Sequence, residues 1–96
     1  MNREQTLKKA IEMVTGHREE DYGSPEGSLD LIARLWGDYL NRRITAVDVS
    51  AMMGLLKIAR IGTGTATDDS WVDLAGYAAC GGEIAAKERM HGQLEI

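Results

Sequence analysis

A chain of 96 residues accommodates one domain and no second hydrophobic core. Its net charge of −4 and pI near 5.1 argue against general nucleic-acid binding, which needs a basic face. A single cysteine, Cys80, excludes an internal disulfide and fits a reducing compartment. The polar start at residues 1–12 and the lack of any run near ~20 apolar residues predict a cytoplasmic protein with no membrane span.

So short a chain buries a modest share of its surface, and a homo-oligomer is the expected source of further burial. The expected core is aliphatic and thioether, with five Met and no Phe. Trp36, Trp71, Tyr22, Tyr39 and Tyr77 are its only large rings.

The first periodic segment covers residues 3–18, where Leu7, Ala10, Ile11 and Val14 form one helical stripe. Asp21-Tyr22-Gly23 reads as a turn. Ser24-Pro25-Glu26 is a helix start, with Ser at the N-cap, Pro at N1 and an acid facing the positive end of the dipole. The second helix is predicted to run to about Asn41, with Leu29, Ile32, Ala33, Trp36 and Leu40 on one face. Leu31, Leu35 and Tyr39 widen it.

Thr45-Ala46-Val47-Asp48 is a variant capping box that opens a third helix. Residues 47–61 are apolar nearly all round, so this helix is expected to be buried on most sides, by its own chain and by a neighbouring subunit. Asp48, Ser50, Lys57 and Arg60 stand out on it. The glycine- and threonine-rich stretch 62–67 is a loop. Thr67, Asp68 and Asp69 compete to cap a fourth helix that reaches about Arg89. Gly76, Gly81 and Gly82 lie inside this helix, where each lowers helix propensity by up to ~1 kcal/mol, which predicts close packing against another backbone. The fold expected is all-α: one domain of about four helices, with its core in residues 3–89, a frayed tail at 90–96, and an oligomeric bundle as its context.

Carboxylates that face each other across a helical bundle can hold Mg²⁺ or Mn²⁺. Asp69 and Asp73, at i and i+4, share a helix face, and Asp48 is the third metal candidate. Asp68 and Asp69 equally suit capping, and Asp73 equally suits an ion pair or plain solvation. Lys57 and Arg60, one turn apart on the most apolar helix, can snorkel, pair with Asp69 or Asp73, or hold the phosphates of a ligand. Trp71 and Tyr22 can be packing rings or base-stacking platforms. His17 and His91 are isolated, and Cys80 among small residues reads as a buried thiol.

Four blocks resemble a family of small bacteriophage proteins. They are Arg18-Glu19-Glu20-Asp21-Tyr22-Gly23, Leu31-Ile32-Ala33-Arg34-Leu35-Trp36, Leu55-Leu56-Lys57-Ile58-Ala59-Arg60 and Asp69-Ser70-Trp71-Val72-Asp73-Leu74-Ala75-Gly76-Tyr77-Ala78. That family is similar to MazG-like, all-α nucleotide pyrophosphohydrolases and to helical nucleotide-modification-associated domains of phages. The MazG-like resemblance implies two acidic pairs on facing helices that bind Mg²⁺ and, through it, a nucleoside triphosphate. Asp69 and Asp73 approximate the second pair at a wider spacing. The first pair does not carry over, because Val49, Ser50, Ala51, Met52 and Met53 follow Asp48.

These residues lead to an expected function of binding a nucleotide or nucleotide-derived signalling molecule, and sequestering it without catalysis in an anti-defence role. The ligand would meet Lys57, Arg60 and Arg18 through its phosphates and Trp71 or Tyr22 through its base, with Asp69 and Asp73 nearby. No cofactor is expected for this reading. A second reading is an Mg²⁺-dependent pyrophosphohydrolase using Asp48, Asp69 and Asp73, with Glu19, Glu20 and Asp21 supplying further ligands. A third is an interaction protein that blocks a host enzyme.

Overall fold

A computed structural model describes residues 1–16, 24–64 and 67–94, and these form four helices and no strand. They are α1 (Arg3–Thr15), α2 (Pro25–Leu40), α3 (Ala46–Gly62) and α4 (Asp68–Leu94).

Local chemistry sets most of the boundaries. Ser24 Oγ accepts the Gly27 N–H at 3.1 Å, with Pro25 at N1, so α2 starts where the capping residues place it. At α3 the box is reciprocal: Asp48 N–H donates to Thr45 Oγ1 at 3.1 Å and Thr45 N–H to Asp48 Oδ2 at 2.9 Å. A second box, between Asn2 and Gln5, opens α1. The α2–α3 corner turns on Asn41, which is left-handed at φ 51°, and Arg42 N–H donates to Gly37 O at 3.0 Å. Gly37 is required there, because a Cβ would lie 2.8 Å from the Arg42 carbonyl oxygen.

Two boundaries differ from expectation. Helix α1 stops at Thr15, with Gly16 as its C-cap and the Gly16 N–H bonded to Glu12 O, so the helix ends short of the expected boundary. Helix α4 continues to Leu94, past the expected end near Arg89, since residues 90–94 contain no proline and Gly92 alone does not break the ladder.

The core lies where α2, α3 and α4 meet. Leu29, Ala33, Ala46, Val49 and Ile84 are buried, with Ile32, Trp36 and Cys80 packed against them. Cys80 is half-buried instead of fully enclosed. Helix α1 packs chiefly on α4, through buried Ala10 and through Val14. The expected thioether core is corrected: Met1, Met13, Met52 and Met90 are exposed, and only Met53 adjoins the core. Leu7 and Ile11 of the α1 stripe are also exposed, as are Leu31, Leu35 and Tyr39 on α2.

A close approach joins α3 to α4. Ser50 is buried and its hydroxyl donates to the Tyr77 carbonyl. A Cβ at Gly81 would lie 2.8 Å from Ser50 Oγ and 3.0 Å from Ser50 Cβ, and one at Gly76 would lie 3.3 Å from Val14. The interior glycines at 76 and 81 therefore serve helix contact, as their cost in propensity predicts. Gly82 differs, because a Cβ there would meet nothing within 4 Å. Gly81→Ala should lower stability by about 1–2 kcal/mol in urea unfolding, because overpacking against Ser50 outweighs the gain in helix propensity. An unchanged or raised midpoint would mean that the seam yields.

Candidate functional site

Helices α3 and α4 are joined by a short connection, so the last turns of one stand beside the first turns of the other. This end of the hairpin carries Lys57 and Arg60 from α3 and Asp69, Trp71 and Asp73 from α4. Lys57 Nζ lies 3.0 Å from Asp73 Oδ2, with the two side chains 13% and 29% exposed. It is the most enclosed ion pair among the described residues; the other pairs lie at the surface. The pairing settles what balances a cation on an apolar helix: the lysine stem lies in the α3–α4 seam and its charge meets a carboxylate from the facing helix.

Arg60 is exposed one turn beyond Lys57, and Thr63 Oγ1 donates to its carbonyl at 3.1 Å. Asp69 is exposed one turn before Asp73, on the same side of α4. Trp71, 51% exposed, sits two residues from each of them, which at about 100° per residue turns it to the other side of the helix. Asp68 meets the Met1 ammonium at 3.4 Å. Arg18, Tyr22 and the acidic run Glu19, Glu20 and Asp21 lie outside the described residues.

The metal candidates are not brought together. Asp48 is held in its capping box at the start of α3, nine residues before Lys57, which at 1.5 Å per residue is about 13 Å along the helix. Asp73 is at the other end, engaged by Lys57. Among the described residues no group of three His, Cys, Asp or Glu could hold a metal ion. No helix among them is long and apolar enough to cross a membrane.

Sequence reasoning missed a groove. Between α3 and α4, beginning one turn from the Lys57–Asp73 pair, runs an open cleft of about 430 Å³. Val47, Ala51, Leu55 and Ile58 line one wall and Leu74, Ala78 and Gly82 the other, with Ser50, Gly54 and Gly81 also lining it and no charged residue among them. The available signal was the i, i+4 run of small residues Ala78 and Gly82 opposite Ala51, Leu55 and Ile58.

The ion pair should contribute measurably to stability. Asp73→Leu leaves Lys57 without its partner and should cost about 1–3 kcal/mol, between the values for surface and fully buried pairs. Adding Lys57→Met should recover most of that loss. A double-mutant cycle by thermal unfolding reads the coupling, and strictly additive losses would show that the pair contributes nothing.

Comparison with known proteins adds an ancestry to this geometry. Residues 5–85 match the family described as Domain of unknown function (DUF6378). The chain is similar to the Gene 55 protein of Mycobacterium phage D29, 42% identical over 78 residues, covering 80% of this chain and 51% of that one. It is likewise similar to the Gene 55 protein of Mycobacterium phage L5, 44% identical over 73 residues, covering 75% of this chain and 47% of that one. The chain thus spans about half the length of these two relatives. No solved structure matches it. On the strength of a match over most of its length, the chain belongs to the phage-related DUF6378 family.

Proposed function

We propose that this protein binds a small phosphate-bearing ligand of the nucleotide class at the end of the α3–α4 hairpin and holds it without chemical turnover. The observation that carries this reading is the Lys57–Asp73 pair, a cation set into an apolar seam and aimed by a carboxylate, with Arg60 one turn further along. Asp73 holds the ammonium in place. Lys57 and Arg60, projecting to similar sides of α3, offer two donors to a phosphate. Asp48 is committed to its cap and stands at the opposite end of α3 from Asp73, so these two carboxylates do not face each other across the hairpin. A binder of this kind in a phage-related family would act by lowering the free concentration of its ligand, which is how sequestration of a host signalling nucleotide in an anti-defence role would work.

Binding calorimetry with a panel of nucleoside triphosphates and cyclic dinucleotides tests the reading. One class should bind, Arg60→Ala should weaken it by ~1.5–3 kcal/mol, and thermal stability should stay unchanged. Lost stability with unaltered affinity would make Arg60 structural and remove it from the site. Mass spectrometry of the recovered ligand should return it intact. Mg²⁺-dependent release of pyrophosphate, abolished by a chelator, would instead establish the pyrophosphohydrolase to which the MazG-like resemblance points.

A further inference from the structure

We infer that the ligand of the Lys57 end carries its phosphates as diesters and not as free terminal phosphates, and that Asp69 and Asp73 make this selection. The inference rests on the reading of this end as a nucleotide site and narrows it to one class, a cyclic or short linear phosphodiester. The ion pair fixes the register of the hairpin, since Lys57 Nζ stands 3.0 Å from Asp73 Oδ2. Toward the connection, Arg60 lies one turn along α3 and Asp69 one turn back along α4, about 4.5 and 6 Å from the pair at 1.5 Å per residue. Each cation of α3 therefore has a carboxylate of α4 at nearly its own level, Asp73 for Lys57 and Asp69 for Arg60.

These charges cancel. Asp68, next on α4, is met by the Met1 ammonium at 3.4 Å and leaves the balance unchanged. The chain as a whole carries −4, so its wider field repels an anion. The site thus has donors for a phosphate but no excess of positive charge, and it discriminates among phosphates by their ionisation. A monoester carries about −1.5 to −2 at pH 7, because its second proton leaves near pH 6, whereas a diester has no second proton and carries about −1. A triphosphate chain carries still more. Lys57 sharpens the difference: its side chain is 13% exposed and already engaged, so a ligand oxygen must share the ammonium with Asp73. Each negative charge brought to about 6 Å from a fixed carboxylate lowers affinity on the order of 3- to 10-fold. A diester meets that repulsion once per phosphate and still receives charge-assisted hydrogen bonds from Lys57 and Arg60. Long polynucleotides accumulate charge and are disfavoured along with triphosphates.

Calorimetry on the full chain without Mg²⁺ tests the inference. The probes are cyclic mononucleotides, cyclic dinucleotides, linear dinucleoside monophosphates and the nucleoside triphosphates of the same bases. The tightest diester should bind at least ~10-fold more tightly than the triphosphate of its base, and the cyclic and linear arms identify which diester the site takes. Asp73→Asn keeps an acceptor for Lys57 and removes one negative charge. It should raise triphosphate affinity by about 10-fold or more and diester affinity by about 3-fold or less. If Asp73→Asn does not fold, Asp69→Asn carries the same expectation, because Asp69 is exposed. A triphosphate that binds the wild-type protein as tightly as the diester of its base overturns the inference and leaves the nucleotide reading standing. So does a diester-to-triphosphate ratio that the substitutions leave unchanged. Binding of none of the probes overturns both.

Discussion

The contact of Ser50 with the 77–81 turn of α4 governs how the rest of the chain is arranged. A serine hydroxyl held on a helix carbonyl, with a glycine one turn on, brings two helices closer than any side chain larger than hydrogen at position 81 permits. That closeness sets Val49 fully inside and places Ile84 in the same cluster as Leu29 and Ala33. It also puts the last turns of α3 beside the first turns of α4, which is the condition for Lys57 to reach Asp73. The groove and the ion pair are two results of one helix separation, on the surface and within the seam.

Burial in this molecule is thin. Among the described residues seven apolar side chains are buried, several of them alanine, while Leu55, Leu56, Ile58 and Met52 remain exposed on α3. A domain of this size has little hydrophobic stabilisation to offset its conformational entropy. Its polar contacts are accordingly well used: Asp48 and Thr45 satisfy each other, Ser50 is bonded, and no buried side-chain nitrogen or oxygen among the described residues lacks a partner. Three of the polar residues that interrupt α3 therefore divide into a cap, a helix clamp and an ion pair: Asp48, Ser50 and Lys57.

Features fixed by chemistry within one turn were legible in the sequence. Ser24-Pro25 and Thr45 to Asp48 mark helix starts because capping needs only neighbours three residues away. The Asn2–Gln5 box obeys the same rule, yet it escaped notice in a polar opening segment that offered no apolar run to begin. Periodicity identified the stripe Leu7, Ala10, Ile11 and Val14, but it does not say how much of a stripe a partner covers. In the single chain only Ala10 is buried. The partner of Lys57 was one of several allowed by spacing, since an inter-helix pair depends on the crossing of α3 and α4. Three glycines in α4 announced close packing, but only the fold separates Gly76 and Gly81, which touch neighbours, from Gly82, which does not. Arg18 and Tyr22 fall outside the described residues, so their part in a site rests on sequence alone.

The attachment of α1 has a consequence for the order in which the chain assembles. Helices α2, α3 and α4 meet their sequence neighbours across short connections, so these contacts close small loops and form at little entropic cost. Helix α1 instead finds its main partner in α4, with Val14 meeting Gly76 across more than half the chain. The return for closing so long a loop is a contact at least as extensive as that of α2 on α3, built on Ala10 and on Val14 against Gly76. Helix α1 is thus the element whose docking waits longest on chain closure, while the Ser50 seam and the Lys57–Asp73 pair form within α3 and α4 alone.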